Sequence, residues 1–263
     1  MTIKILQQVF LAELINIYDQ GEAQELFSLA AYHLSGLNRS QVTLEAERPV
    51  NDIQYQSYLH ILQELQNGRP IQHIFGEAWF YGEKFKVNSS VLIPRPETEE
   101  LVEWIIETLS DRGNVRIVDI GTGSGCIALT LKRNLTDLQV DALDISAEAL
   151  AVAHENAATQ GIDVNFIQSD IFGYQSLHSY DLIVSNPPYI RESERSDMHN
   201  NVLLNEPSTA LFVPDEDPLM FYKCIADFAL RHLNKGGYLF FEINAYLGKE
   251  TVDMLSIKGF KNI

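Results

Sequence analysis

From Arg116 onward, short apolar runs alternate with stretches of helical periodicity, and each run ends in a polar group: Val118-Asp119, Leu143-Asp144, Gln168-Ser169-Asp170 and Ser185-Asn186. Such alternation calls for a parallel sheet wound with helices on both faces, because parallel strands need long crossovers and both sheet faces must be covered. Ligands of these sheets bind outside the carboxyl ends of the strands. The four polar strand ends therefore form one candidate site on an α/β, Rossmann-like domain.

The first strand end is Val118-Asp119-Ile120-Gly121-Thr122-Gly123-Ser124-Gly125, an acid followed by three alternate glycines, and Cys126 to Lys132 continues with a helical pattern. Glycines here permit a sharp turn and close approach of the backbone to a ligand. A dinucleotide fingerprint wants its third glycine one residue later, where Cys126 stands, so NAD and FAD are disfavoured. Asp144 lies roughly the ~20 residues downstream at which an acid can accept both ribose hydroxyls. It also reads as the N-cap of the helix that starts near Ser146.

The fourth end, Asn186-Pro187-Pro188-Tyr189, closes the strand Tyr180 to Ser185. Two prolines fix φ and remove backbone donors, so the loop is stiff and its carbonyls can accept hydrogens from a substrate NH2 group. Asn186 adds one more carbonyl oxygen and Tyr189 a flat wall. Asn-Pro also marks ordinary turns, and the glycine motif upstream favours the site reading.

With 263 residues, the chain can build one large α/β domain and a smaller one. Residues 1–72 carry helical spacing in Leu6, Val9, Phe10, Leu14, Ile17 and Tyr18 and again in Tyr55, Tyr58, Leu59, Leu62 and Leu65, so a small helical bundle is expected there, suited to substrate docking. Residues 73–93 read as a β-hairpin linker, with strands near Trp79–Tyr81 and Glu83–Val87 around Gly82. Residues 94–263 form the expected catalytic domain, where Ile93 to Glu99 leads into a helix expected over Glu100–Leu109.

Nineteen basic against thirty-six acidic residues, a formal charge of −17, argue against a polynucleotide substrate, which is bound through Lys and Arg on phosphates. The same charge favours a basic protein partner. Cys126 and Cys224 are too few for a disulfide framework and read as buried thiols in a reducing compartment. Neither a cleavable leader nor an apolar stretch near the ~18 residues of a membrane span is visible, so no membrane association and a cytoplasmic location are expected. His33, His60 and His73 lack ligand spacing, and no metal is expected.

The glycine motif behind Asp119 resembles motif I of class I S-adenosylmethionine-dependent methyltransferases, and Asn186 to Tyr189 resembles the acceptor motif of enzymes that methylate NH2 groups of adenine, cytosine or glutamine. The narrower markers are Leu92-Ile-Pro-Arg-Pro-Glu-Thr-Glu99 and Asn205-Glu206-Pro207-Ser-Thr-Ala210-Leu211. Together they are similar to the HemK/PrmC family of protein-(glutamine-N5) methyltransferases, which modify the glutamine of the Gly-Gly-Gln loop in class 1 peptide chain release factors. The resemblance runs from about residue 70 to the end and includes the helical character of the N-terminal part.

That resemblance implies S-adenosyl-L-methionine as cofactor, held by Asp119, Gly121, Thr122, Gly123, Ser124, Gly125, Asp144 and Asn186, with Asp170 and Phe172 at the adenine. It implies Asn186, Pro187 and Tyr189 as catalytic residues, Pro188 as a further substrate contact, a release factor as partner and a monomeric enzyme. Two departures from the family pattern bear on loop shape: Glu242-Ile243-Asn244 where Glu-Ile-Gly is usual, and Pro214 to Pro218 where glycines often follow Ala-Leu. The chain also stops after Lys258-Gly-Phe260 without the closing antiparallel hairpin of this fold, which is expected to leave a sheet edge exposed. Competing readings are an N6-adenine nucleic-acid methyltransferase acting on a flipped base, a glutamine methyltransferase of a ribosomal protein, and a binding module that keeps the pocket without catalysis.

Overall fold

The computed structural model describes residues 1–135 and 137–263, and the chain divides into two compact units, Met1–Phe75 with Asn200–Asn205, and Gly76–His199 with Glu206–Ile263. In chain order the elements begin with helices α1 (Ile3–Leu14), α2 (Gln20–Ser35), α3 (Arg39–Leu44), α4 (Asp52–Gln66) and α5 (Ile71–Phe75). There follow β1 (Glu77–Phe80), β2 (Glu83–Lys86), α6 (Pro96–Leu109), β3 (Val115–Ile120), α7 (Cys126–Asn134), β4 (Leu138–Asp144), α8 (Ala147–Gln160), β5 (Asn165–Gln168) and β6 (Tyr180–Ser185). The last are β7 (Ile190–Arg191), α9 (Asn200–Asn205), β8 (Phe212–Val213), α10 (Met220–His232), β9 (Leu233–Phe241) and α11 (Gly248–Lys258).

In the helical unit, Thr2, Asp19, Asn38 and Asn51 cap α1 to α4 by accepting backbone N–H groups that would otherwise lack partners. Leu6, Phe10, Leu14, Phe27, Tyr58, Leu62 and Leu65 fill its core. Val9 and Ile17 share the apolar period of α1 yet stay exposed, at 37% and 41%, and Ile17 lies past the end of that helix. Helix α9 enters this unit from far along the chain: Asn201 Nδ2 donates to the Tyr18 hydroxyl at 3.0 Å, and Asn205 Nδ2 to the Gly68 carbonyl at 2.9 Å.

The second unit holds a five-stranded parallel sheet in the order β5-β4-β3-β6-β9. Strand periodicity of two sorts its residues onto two cores. Ile117, Leu182 and Val184 pack with Leu101, Ile105 and Leu129 from α6 and α7, whereas Val118, Ile120 and Ile183 pack with Ile225 and Phe228 from α10. The hairpin of β1 and β2 belongs to this unit; its turn residues Tyr81 and Gly82 have φ of 50° and 76°, as a two-residue hairpin turn with matching twist requires.

Helix α6 begins at Pro96, four residues before the expected Glu100, because proline fits the first helical position, where its missing N–H would have had no partner. The shift matters for the site. It puts Thr98 inside the first helical turn, buried, with its hydroxyl directed away from any capping role.

Candidate active site at the strand ends

Strand register pairs Ile120 with Leu143 on one side and with Ser185 on the other, so Gly121, Asp144 and Asn186 each stand one residue past paired positions at the same sheet end. Hydrogen bonds stitch these ends together. Gly121 N–H and Thr122 N–H donate to the Leu143 carbonyl at 2.8 and 3.0 Å, and Ser169 N–H donates to the Asp144 carbonyl at 3.0 Å. Ser185 Oγ donates to the Ile120 carbonyl at 2.6 Å, and Glu242 N–H donates to the Ser185 carbonyl at 3.1 Å.

The loop after β3 turns on Gly121, Gly123 and Gly125, with φ of 76°, 54° and 80°, all in the region that disfavours a side chain. A Cβ at Gly121 or Gly123 would meet nothing within 4 Å, so their backbone is bare and open, whereas one at Gly125 would lie 3.2 Å from Ala153 Cβ where α7 and α8 approach. Beneath this loop Asp119 is fully buried. Thr122 Oγ1 donates to its Oδ2 at 2.7 Å, and its Oδ1 makes no hydrogen bond. Burial pushes this carboxyl up to about 7, the Thr122 hydroxyl opposes, and the Asp144 carboxylate adds to the rise.

A raised carboxyl has a defined effect on stability. Between the ordinary value of 3.8 and about 7 the folded chain keeps a proton that the unfolded chain has released, so this group's contribution is complete below that window and is lost as pH rises through it. Asp119→Asn should therefore gain on the wild type by up to about 1.4 kcal/mol for each pH unit across the window and hold a constant gap above it. Urea unfolding of both proteins from pH 4 to 8 measures this; a gap independent of pH would refute it.

Asp144 is held at both oxygens by backbone: Gly123 N–H donates to Oδ2 at 2.8 Å and Ser146 N–H to Oδ1 at 2.9 Å. The N-cap of α8 is Ser146, whose Oγ accepts from Ala149 N–H at 3.0 Å, so the capping role read for Asp144 falls two residues later. A carboxylate offers about four acceptor positions, which leaves Asp144 lone pairs for ligand hydroxyls. Beyond β5, Asp170 Oδ1 accepts from Phe172 N–H at 3.0 Å, and the Phe172 ring is 49% exposed, 5.3 Å from Phe221. An acid and an accessible aromatic face thus stand side by side.

At the end of β6, Asn186 Nδ2 donates to Thr98 Oγ1 at 3.2 Å, and Thr98 Oγ1 donates to Glu242 Oε2 at 2.6 Å. Tyr189 donates its hydroxyl to Glu242 Oε1 at 3.2 Å, while its carbonyl accepts from Asn244 Nδ2 at 3.1 Å. Asn244, one of the two departures noted in the sequence, thereby fastens the acceptor loop. Burial holds the Glu242 carboxyl above the ordinary range against the lowering effect of the Thr98, Tyr189 and Asn186 hydrogen bonds, and burial with the nearby Glu242 charge pushes Tyr189 up to about 12. Sequence reasoning missed Thr98 and Glu242 as site residues. Glu242 carried a usable signal, an acid immediately after an apolar strand; Thr98 carried none.

The two marker segments meet at one buried carboxylate. Glu206 Oε2 accepts from Ile93 N–H at 3.1 Å and its Oε1 pairs with Arg95 Nη2 at 2.6 Å, with the Glu206 side chain 1% exposed and that of Arg95 33%.

The profile of the methyltransferase small domain matches residues 100–213, and that of the PrmC N-terminal domain matches residues 12–76. A release factor glutamine methyltransferase of Flavobacterium psychrophilum is 45% identical, over all of this chain and 93% of its own length. One from Bacteroides thetaiotaomicron is 42% identical over 94% of this chain and 89% of its own, and one from Streptococcus pneumoniae is 43% identical over 88% and 82%. The chain belongs to the release factor glutamine methyltransferase family. It is an S-adenosylmethionine-dependent methyltransferase with the α/β fold expected from its strand ends. Among the described residues no helix is long and apolar enough to cross a membrane, and no cluster of His, Cys, Asp and Glu suits a metal ion.

Proposed function

We propose that this chain transfers a methyl group from S-adenosylmethionine to the side-chain amide nitrogen, N5, of the glutamine in the Gly-Gly-Gln loop of class 1 peptide chain release factors, and so modulates translation termination. The observation that carries the reading is the orientation of Asn186: its NH2 is engaged by Thr98, so Oδ1 is the atom left to accept from a substrate amide. An amide nitrogen is a weak nucleophile because its lone pair is delocalised. When bound, the cofactor supplies a methyl group activated on a sulfonium. Asn186 Oδ1 and the Pro187 carbonyl each accept one amide hydrogen, orient the nitrogen, and stabilise the positive charge that grows on it. A methylated amide still carrying its extra proton is acidic enough to release it to water, so no strong base is required. Tyr189 and Pro188 wall the pocket against solvent.

The residues present suit the cofactor. The bare backbone of Gly121 and Gly123, the unpartnered buried oxygen of Asp119, the pinned carboxylate of Asp144 and the paired Asp170 and Phe172 offer, in order, a close surface, an acceptor beneath it, a site for ribose hydroxyls and a site for adenine. Thr122, Ser124 and Gly125 keep that loop in shape. Incubation of a purified release factor with this protein and S-adenosylmethionine, followed by mass spectrometry of the Gly-Gly-Gln peptide, is expected to show a gain of one methyl on the glutamine; an unmodified glutamine sinks the proposal.

The helical unit, residues 1–72 in its sequence boundaries, docks the folded release factor, with 73–93 as linker and 94–263 as catalytic domain. A groove of about 620 Å³ between α2, α4 and α5 is bordered by His33, Ile53, His60, Ile61, Ile74 and Phe75, and Ile53 is 81% exposed there. Ile53→Glu should lower kcat/KM on a folded release factor about 10-fold, the effect of losing one well-packed contact, and leave a short Gly-Gly-Gln peptide unaffected. Equal rates on the folded substrate would show that this surface does not dock it. The enzyme acts as a monomer in the cytoplasm, where release factors work.

A further inference from the structure

Glu242 lies at the end of β9 and Thr98 in the first turn of α6, far apart in sequence from each other and from Asn186, yet the three form one chain of hydrogen bonds. A threonine hydroxyl has a single proton. At 2.6 Å from Glu242 Oε2 that proton is committed to the carboxylate, a charge-assisted bond, and only lone pairs remain to face Asn186. The side chain of Asn186 must then present Nδ2 to Thr98, as it does at 3.2 Å. With the amide turned over, Oδ1 would meet a lone pair, and Nδ2 would occupy the place from which the substrate's hydrogens are to be accepted, where it has no acceptor to offer. The second carboxylate oxygen holds the Tyr189 hydroxyl at 3.2 Å, so one side chain anchors both ends of Asn186 to Tyr189.

We propose that Glu242 and Thr98 are positioning residues for methyl transfer: the carboxylate fixes the direction of the Thr98 hydroxyl, and the hydroxyl fixes which atom of the Asn186 amide faces the substrate. This deepens the reading of Asn186 Oδ1 as acceptor of the substrate's amide hydrogens and rests on it. Neither residue needs to touch the substrate. Both oxygens of Glu242 accept hydrogen bonds, as an ionised carboxylate does, and other groups around it are Tyr189, Asn186, Glu97 in α6 and Tyr222, whose hydroxyl donates to the Glu242 carbonyl at 3.2 Å. Its partners Thr98, Tyr189 and Asn186 are neutral donors, so the carboxylate aligns dipoles around Asn186.

Thr98→Val preserves shape and removes the hydroxyl, and Thr98→Ser restores the hydroxyl with one methyl fewer. On a short Gly-Gly-Gln peptide at saturating S-adenosylmethionine, Thr98→Val and Glu242→Gln should lower kcat about 10-fold or more, the scale for removing an outer partner of a functional side chain, with KM and cofactor Kd within about 2-fold of wild type. Thr98→Ser should return to within about 3-fold of wild-type kcat. A Thr98→Val enzyme with wild-type kcat, or a Thr98→Ser enzyme as slow as Thr98→Val, overturns the proposal, the second because packing rather than the hydroxyl would then matter. A readout free of turnover separates this proposal from the function on which it rests. The side-chain NH2 resonances of Asn186, assigned by their loss in Asn186→Ala, should exchange with solvent faster in Thr98→Val than in wild type or Thr98→Ser. Equal exchange in all three overturns the relay whether or not the peptide is methylated.

Discussion

Asn186→Ala is expected to cut methyl transfer by at least ~100-fold, the scale on which one preorganised transition-state partner is worth, while fold and cofactor affinity stay close to wild type. The loss should fall on kcat, because the hydrogen bond from the substrate amide to Oδ1 strengthens as charge develops on nitrogen. Fold should be spared for a structural reason. The strand end is secured by Ser185 on the Ile120 carbonyl and by Glu242 N–H on the Ser185 carbonyl, neither of which involves the Asn186 side chain. Asn186→Asp keeps an acceptor oxygen but loses the donor to Thr98 and brings a charge toward Glu242, so its activity should lie between wild type and Asn186→Ala. Single-turnover kinetics on a release factor would measure both variants, and near-normal turnover by Asn186→Ala would end the amide-clamping mechanism.

Glu206→Ala should be the most damaging single change to stability among the side chains discussed, about 3 kcal/mol, the lower end of what breaking a buried pair from one side costs. The removed carboxylate leaves Ile93 N–H without its acceptor and Arg95 without its partner; Arg95 keeps about a third of its side chain in water, at 33% exposure, which limits the penalty on the cation. Ile93 and Arg95 lead directly into Pro96 and the first turn of α6, where Thr98 sits. The same variant should therefore lose activity beyond its loss of stability. Urea unfolding compared with wild type checks the first effect. A change below about 1 kcal/mol would mean that the pair adds little more than an exposed one.

How much of this was legible beforehand depends on the range of each interaction. Asp119, the three glycines, Asp144, Asp170 and Asn186 could be found because each sits next to an apolar strand, and a parallel sheet brings such ends together by topology alone. The loop's capacity for a sharp turn could be anticipated, since glycine adopts φ of 54° to 80° without a steric cost, but that all three glycines take it is decided by the fold. The start of α6 at Pro96 was within reach of local chemistry too, through the preference of proline for a first helical position, but the run of acids drew the expected boundary to Glu100.

Other features had no local trace. Helix α9 joins the helical unit through Asn201 on Tyr18 and Asn205 on Gly68, contacts that no periodicity encodes. Val9 and Ile17 share the apolar spacing of buried neighbours and stay exposed, because spacing gives a face and not the neighbour that covers it. The Leu92–Glu99 and Asn205–Leu211 segments were recognisable as family markers, yet only the folded chain joins them at Glu206. The sequence by itself determined the parallel sheet, the glycine loop and the acceptor tetrapeptide, all set by backbone preferences and strand periodicity over a few residues. The tertiary structure alone decided which way the Asn186 amide points, because that depends on one proton on Thr98 and one carboxylate on Glu242, brought together from opposite ends of the catalytic unit.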